Sequence, residues 1–304
     1  MKHWKNNLML LSAALIWGCA FVAQSVSMDY IGPWTFTCIR SFIGGVTLLA
    51  VMPLLDRFRS APKEHSKAQW KNPQLLKGGI ACGIILGFAS MSQQIGIQYT
   101  SVGKAGFITA MYVVLVPVLS VFLGNRPKLK TWISVALAVI GLYFLSIQGS
   151  MSLSVGDLWM IGCAFLFAVH ILVIDHFSPM VDGVRMSCIQ FFVAGLVCLV
   201  PMIVLEHPIW SNIQAAAVPI LYAGICSSGM GYTLQIVGQK DADPTVASML
   251  LSLESVFAAL SGFVLLNQVL SVRELAGCAL MFGAVILSQL PGLPKKQSAE
   301  SIRE

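Results

Sequence analysis

The chain is 304 residues long, 57% hydrophobic and only 11% charged, with a formal net charge of +6 and a mean hydropathy of +0.79. Soluble domains carry about a quarter charged residues, so this composition excludes a disordered chain and a single water-soluble core, and makes a bilayer the natural solvent. The positive charge has to be located along the chain before it is interpreted.

A spanning helix needs about 20 mostly apolar residues. In chain order ten runs qualify: 7–26, 33–55, 75–97, 104–123 and 131–148, then 156–174, 183–205, 213–237, 244–266 and 272–290. Strands of a membrane barrel would alternate apolar and polar residues, whereas stretches such as VVLVPVLSVFL are apolar all round, so the runs are read as helices. Lys2 and Lys5 before the first run imitate a signal peptide, but the run is long for one, lacks a small-residue cleavage site and is followed by nine more. All eight cysteines fall inside the runs without metal or redox spacing and are read as small buried side chains.

With ten spans both termini share one side. If that side is the cytoplasm, the inner segments hold Lys2, Lys5, Arg57, Arg59, Lys63, Lys67, Lys71, Lys77, Arg126, Lys128, Lys130, Arg185, Lys240, Lys295, Lys296 and Arg303. The positive-inside rule then selects N-in, C-in. The basic excess reports orientation and contact with anionic lipid, and no nucleic-acid partner is expected.

The chain repeats itself. FTCIRSFIGG at 36–45 aligns with MSCIQFFVAG at 186–195, an offset of 150. From the third span onward an ungapped offset of 142 pairs Gly87 with Gly229, Gln93 with Gln235 and Asn125 with Asn267. Five spans per half is an odd number, so the halves are expected to enter the membrane in opposite senses, residues 1–148 forming one and 149–304 the other. Inverted repeats are an architecture of secondary transporters, with substrate bound near the midplane. The expected fold class is an all-α polytopic membrane protein of ten transmembrane helices in two inverted five-helix repeats.

Four stretches resemble the drug/metabolite transporter superfamily, in particular EamA-type permeases: AALIWGCAFVAQ, GIQYTSVGKAGFITAMYVVLVPVLSVFLG, DPTVASMLLSLESVFAALSGFVLLNQVLS and ELAGCALMFGAVILSQ. The resemblance covers about residues 8–290 and implies two five-helix repeats and the movement of small metabolites or drugs, without naming a substrate. Two departures stand out. Where ninth spans of that family often read Glu-Pro this chain has Glu254-Ser255, and where they often end Leu-Gly-Glu it has Leu266-Asn267-Gln268. The first change is expected to remove a helix kink and the second a carboxylate at the membrane edge.

A charge at the centre of a spanning helix costs about 2.5–3.5 kcal/mol on insertion scales and usually faces a cavity or a partner. Glu254 lies halfway along the ninth span and is a candidate for proton coupling or for anchoring a substrate ammonium; the plain alternative is a carboxyl bracing helix packing. Arg40, in the outer third of the second span, would hold a substrate carboxylate or else snorkel to headgroups. His170 in the sixth span is a candidate proton relay or a hydrogen-bonded structural histidine. Gln93, Gln94 and Gln235 occupy near-equivalent repeat positions, and Tyr112, Tyr232, Trp17 and Ser252 would supply hydrogen bonds or an aromatic wall. Tyr112 is the repeat counterpart of Glu254. Lys104 is expected at headgroup level. Gly79, Gly83 and Gly87 make a smooth packing face, which Ala223, Ser227 and Gly231 repeat in the eighth span. Pro117 is the expected hinge of the fourth span.

Enzyme motifs such as GxSxG, HExxH and CxxC are absent, as are a Walker motif and a filter-like loop. The reading is therefore a secondary active transporter. It would move a small metabolite, amino-acid-like compound or drug across the cytoplasmic membrane by alternating access, with Glu254 as the coupling candidate. A facilitative exchanger or channel is the alternative, and an intramembrane enzyme a more distant one. The expected partners are a small-molecule substrate and the lipid bilayer, with a homodimer left open; no cofactor is expected.

Overall fold

The structure is a computed structural model and describes residues 2–58, 68–99, 102–125, 127–146, 154–240, 242–266 and 271–290. Of the positions singled out above, Arg59, Lys63, Lys67, Arg126, Gln148, Asn267, Gln268, Lys295, Lys296 and Arg303 lie outside them. The described residues are helical, with no strand among them. This is what a bilayer requires, because each backbone N–H and C=O must find its partner within its own segment.

The first half holds α1 (Lys2–Ser27), α2 (Pro33–Phe58), α3 (Pro73–Tyr99), α4 (Val102–Ala110), α5 (Tyr112–Phe122) and α6 (Leu129–Ser146). The second holds α7 (Val155–Phe177), α8 (Gly183–Pro201) continued by a π-helical turn at Met202–Glu206, and the short α9 (Trp210–Ala215) and α10 (Ala217–Leu221). A π-helical segment at Tyr222–Gly231 follows, then α11 (Tyr232–Gln239), α12 (Pro244–Ser252), α13 (Glu254–Leu266) and α14 (Val272–Gln289). Among the described residues nine helical stretches are long and apolar enough to cross a membrane, and Leu129–Leu145 is a shorter apolar helix. Large apolar side chains such as Leu15, Val46, Phe88, Phe165, Leu196 and Ile286 point outward, while Gln94, His170, Gln190 and Ser248 are fully buried. That polarity is the reverse of a water-soluble protein and fits lipid as the surrounding medium. The chain is a multi-pass membrane protein.

Side-chain bonds gather one set of helix ends into a common face. Asn6 Nδ2 donates to the Lys240 carbonyl at 2.7 Å and Asn7 Nδ2 to Gln289 Oε1 at 3.0 Å. Lys130 Nζ donates to the Leu290 carbonyl, and Arg185 pairs with Asp56 at 2.5 Å. Lys5, Arg57, Lys128, Lys130, Arg185 and Lys240 all belong to these ends, which we call the basic face. On the opposite face Glu206 accepts from the backbone of Trp34 and Thr35, and Lys104 pairs with Asp157.

The offset of 150 reappears as geometry at the α2–α8 crossing. Cys38 Sγ donates to the Gly195 carbonyl at 3.5 Å, and Cys188 Sγ donates to the Gly45 carbonyl at 3.7 Å. Phe42 and Phe192 meet at 6.2 Å across the same contact, each lying over the other helix's glycine. A Cβ on Gly45 would come within 3.0 Å of Phe192, and one on Gly195 within 3.0 Å of Phe42. The glycine face of α3 also packs as expected: Gly79 faces Ile189, Gly83 faces Gln190 and Val193, and Gly87 faces Val197, all on α8. In the eighth span the close approach falls one residue over from the expected face. Gly224 and Ser228 receive Ile43 and Gly44 of α2, while Gly231 faces Trp17.

Pro117 does not break the fourth span; it lies inside α5. The break is at Met111 (φ −61°, ψ −9°), and a matching one in the ninth span is at Leu253 (φ −63°, ψ −9°). At both, the amide drops from the i−4 to the i−3 carbonyl: Met111 N to Ile108 O at 3.2 Å, Leu253 N to Leu250 O at 3.3 Å. The two residues are 142 apart. At Leu253 the α pattern is thus interrupted for one residue, although Glu254-Ser255 carries no proline there.

Candidate functional site

The breaks determine what stands at the centre of the bundle. Tyr112 opens α5 and Glu254 opens α13, each the first residue after its break. The Tyr112 hydroxyl donates to Glu254 Oε1 at 3.0 Å, and both side chains are buried. One residue further on, Ser255 Oγ donates to the Gly106 carbonyl at 3.3 Å, so the start of α13 is tied twice to the fourth span.

A narrow cavity of about 30 Å³ lies beside this pair, room for a water or two in this conformation and too small for a substrate until the helices part. Seven of the sequence candidates line it: Glu254, Arg40, Gln93, Tyr112, Gln235, Tyr232 and Trp17. Tyr232 is the hub of its aromatic wall, with ring centroids 4.5 Å from Trp17, 5.4 Å from Phe191 and 6.0 Å from His170. Trp17 Nε1 donates to the Ser227 carbonyl at 3.4 Å, an acceptor presented by the π-helical segment, a departure from α geometry common at functional sites. Gln93 Nε2 donates to Thr109 Oγ1 at 3.4 Å.

Arg40 reaches the cavity from α2 while only 4% exposed. Its guanidinium lies 5.4 Å from the Phe36 ring centroid. Among the described residues no carboxylate pairs with it. The cavity therefore holds a buried cation and a buried carboxyl that are not paired with each other.

The other three candidates stand behind the wall. Gln94 Nε2 donates to the Gln24 carbonyl at 3.2 Å and so anchors α1 against α3. His170 Nε2 is 3.2 Å from Gln190 Oε1, placing the ring as a support behind Tyr232. Ser252 Oγ returns to the Met249 carbonyl at 2.8 Å, one residue before the Leu253 break. Lys104 stands at the start of its span, as expected, and its charge is paired. It reaches Asp157 Oδ2 at 2.6 Å, and that fully buried carboxylate also closes the capping box with Ser154 at the start of α7. Sequence reasoning missed Gln24, Thr109 and Ser227, which also line the cavity. Gln24 carried a usable signal as the one glutamine in the first apolar run, and its Oε1 has no partner among the described residues although buried.

A second opening, of about 590 Å³, sits at the basic face between α5, α6, α7, α12 and α14, with Ser120, Asn125, Lys128, Asp175, Asp243 and Thr245 in its wall. Three helices line both spaces. Between the two linings they place Val113, Val116, Ile174, Ala247, Ser248 and Leu250, all buried.

A multi-span helical bundle with a closed polar cavity reached by discontinuous helices is the build of a membrane transporter. The model of the EamA-like transporter family matches residues 4–147 and again 154–290. The chain belongs to the EamA-like transporter family. It is 29% identical over 291 residues to an uncharacterized transporter of Archaeoglobus fulgidus, covering 95% of this chain and 87% of the relative. It is 25% identical to the uncharacterized transporter YoaV of Bacillus subtilis, covering 93% and 96%, and 23% identical to a chloroplastic WAT1-related protein of Arabidopsis thaliana, covering 93% and 69%. A solved crystal structure of a protein superposes with a TM-score of 0.76 at 18% identity, covering 93% of this chain and 96% of that one, a likeness of fold.

Proposed function

We propose that this transporter carries a small zwitterion, an amino-acid-like compound, through the central cavity. The observation that carries the reading is the unpaired Arg40 guanidinium sharing one cavity with the Glu254 carboxyl. A guanidinium forks onto a carboxylate, a carboxylate takes an ammonium, and the unpartnered Oε1 atoms of Gln24 and Gln235 add acceptors for its remaining protons. The Trp17–Tyr232 wall would lie along the apolar part of the molecule.

In this reading residues 1–148 and 149–304 are inverted repeats that rock about the α2–α8 crossing. The basic face is cytoplasmic, both termini lie there, and the protein sits in the cytoplasmic membrane. The double match of the family model and the reciprocal Cys38 and Cys188 bonds support the repeats; the basic helix ends support the orientation. Proton coupling runs through Glu254, which alternates between its proton and the substrate ammonium.

The test is counterflow of the proteinogenic amino acids into proteoliposomes holding the full chain, with and without a pH gradient. Glu254→Gln and Arg40→Gln should each abolish the flux, and the wild type should accumulate substrate when a gradient is imposed. Flux that ignores the gradient would make the protein a facilitative exchanger. Flux unchanged in both variants would overturn the site.

A further inference from the structure

Two breaks 142 residues apart, each followed by a buried polar residue, and a hydrogen bond joining those residues, form one device. α4 meets α5 at Met111, and α12 meets α13 at Leu253, each junction one residue whose amide has shifted to the i−3 carbonyl. Helix bonds are locally weakest where the amide has left its i−4 carbonyl, so motion concentrates there. The Tyr112–Glu254 bond, at 3.0 Å, spans the two breaks immediately after both, and the Ser255–Gly106 bond reinforces it. The side chains that close the cavity from the basic-face opening ride on these helices: Val113 and Val116 on α5, Ala247, Ser248 and Leu250 on α12.

We propose that Tyr112 is a positioning residue whose hydroxyl latches the two broken helices together through Glu254. A ligand cation that takes the Glu254 carboxyl exchanges with that hydroxyl and frees the helices, connecting the cavity to the basic-face opening. This rests on the reading of Glu254 as the substrate's anchor. No covalent step is involved: one hydrogen bond to the carboxyl is replaced by another. Binding is thereby coupled to opening at a single oxygen. The Tyr112 ring holds its packing in the wall whether or not the hydroxyl is engaged, so the latch is separable from the scaffold.

Hydrogen exchange read by mass spectrometry on the full chain in lipid nanodiscs tests this. Tyr112→Phe removes the hydroxyl alone. It should speed exchange of the amides flanking both Met111 and Leu253 by roughly three- to tenfold, the factor one lost hydrogen bond supplies. Exchange across the α2–α8 crossing should not change. Glu254→Met should reproduce the effect, while Glu254→Gln, which keeps an acceptor for the hydroxyl, should stay near wild type; this pair guards against a variant that merely folds poorly. The amino acid giving the greatest counterflow, added to the wild type, should move both breaks toward the Tyr112→Phe rate and leave Tyr112→Phe itself unmoved. Wild-type exchange at Leu253 in Tyr112→Phe would overturn the latch, whatever the flux. Faster exchange in Tyr112→Phe with no amino-acid flux in any protein would uphold the latch and overturn the substrate reading instead.

Discussion

Asp56 and Glu206 stand 150 residues apart, and each grips the start of the other's helix. Asp56, near the end of α2, meets Arg185 in the first turn of α8 at 2.5 Å. Glu206, at the end of the π-turn that prolongs α8, accepts from the backbone N–H of Trp34 at 2.8 Å and of Thr35 at 2.7 Å in the first turn of α2. The helices run antiparallel, so one clasp lies at the basic face and the other at the opposite face. Between them the Cys38 and Cys188 bonds and the paired phenylalanines fix the middle. A pair of helices tied at both ends and at its centre is a fixed element, and movement is left to the broken fourth and ninth spans.

Loss of the Glu206 clasp should be measurable as stability. Glu206→Leu strands N–H donors at the start of α2 and removes an anion from a helix N-terminus. The expected cost is about 2–3 kcal/mol, seen as a lower unfolding temperature in detergent. Glu206→Gln keeps an acceptor and should lose less. Gly32→Ala should cost less than Glu206→Leu, because a Cβ there would lie 2.3 Å from the Glu206 carboxyl carbon, the far end of a flexible side chain that can shift. A Glu206→Leu protein as stable as wild type would show that the clasp contributes nothing.

At the basic face the clasp is an ion pair around a side chain that is only 1% exposed, Arg185, which also meets Asp182 at 3.3 Å. Removing one member of a buried pair costs about 3–5 kcal/mol, whereas replacing both by apolar groups is often neutral. Arg185→Met, which takes the cation from both Asp56 and Asp182, should therefore destabilise more than Asp56→Ala, which leaves Arg185 its pairing with Asp182. Equal losses in urea or thermal unfolding would mean that the Asp182 pairing is hydrated and weak.

Much of this was legible because lipid makes polarity informative. A glutamine, arginine or glutamate in an apolar run has few places to go but inward, and Arg40, Gln93, Tyr112, Gln235 and Glu254 indeed meet in one cavity. The offset of 150 was legible for a related reason: the strings 36–45 and 186–195 pack against each other, so each keeps the glycine that receives the other's phenylalanine. The breaks were not legible. Methionine and leucine carry no breaking signal, whereas Pro117 does and sits in an unbroken helix, its missing N–H absorbed within α5. Beside Met111 and Leu253 run the ties from α13 back to Tyr112 and Gly106, which no local pattern encodes. The partner of Lys104 was hidden for the same reason, since Asp157 is 53 residues away.

The contact of α6 with α14 separates two glycines that the sequence treats alike. A Cβ at Gly277 would meet the Leu145 backbone nitrogen at 2.6 Å, and backbone cannot swing aside as a side chain does. At Gly283 the nearest atom would be Leu137 Cδ2 at 3.9 Å, an ordinary contact. Gly277→Ala should force the two helices apart and cost about 1–3 kcal/mol by overpacking. Gly283→Ala should be neutral or slightly stabilising, since alanine is the better helix former. The two unfolding temperatures, measured side by side, check this; a reversed order would place the helix contact elsewhere.

Arg40 offers a sign that distinguishes a binding residue from a structural one. A buried guanidinium without an acidic partner among the described residues is retained at a cost, and its contact with Phe36 returns about 0.5–2 kcal/mol. Arg40→Met should accordingly leave the unfolding temperature unchanged or raise it, while lowering amino-acid counterflow by about a hundredfold, the loss expected when a desolvated charge pair with the substrate is removed. Arg40→Lys should recover part of the flux and raise KM more than it lowers the maximal rate, because the charge survives while the fork that fits a carboxylate does not. If Arg40→Met instead melts several degrees lower with flux per folded molecule intact, Arg40 is a tie between helices and the substrate's carboxylate is held elsewhere.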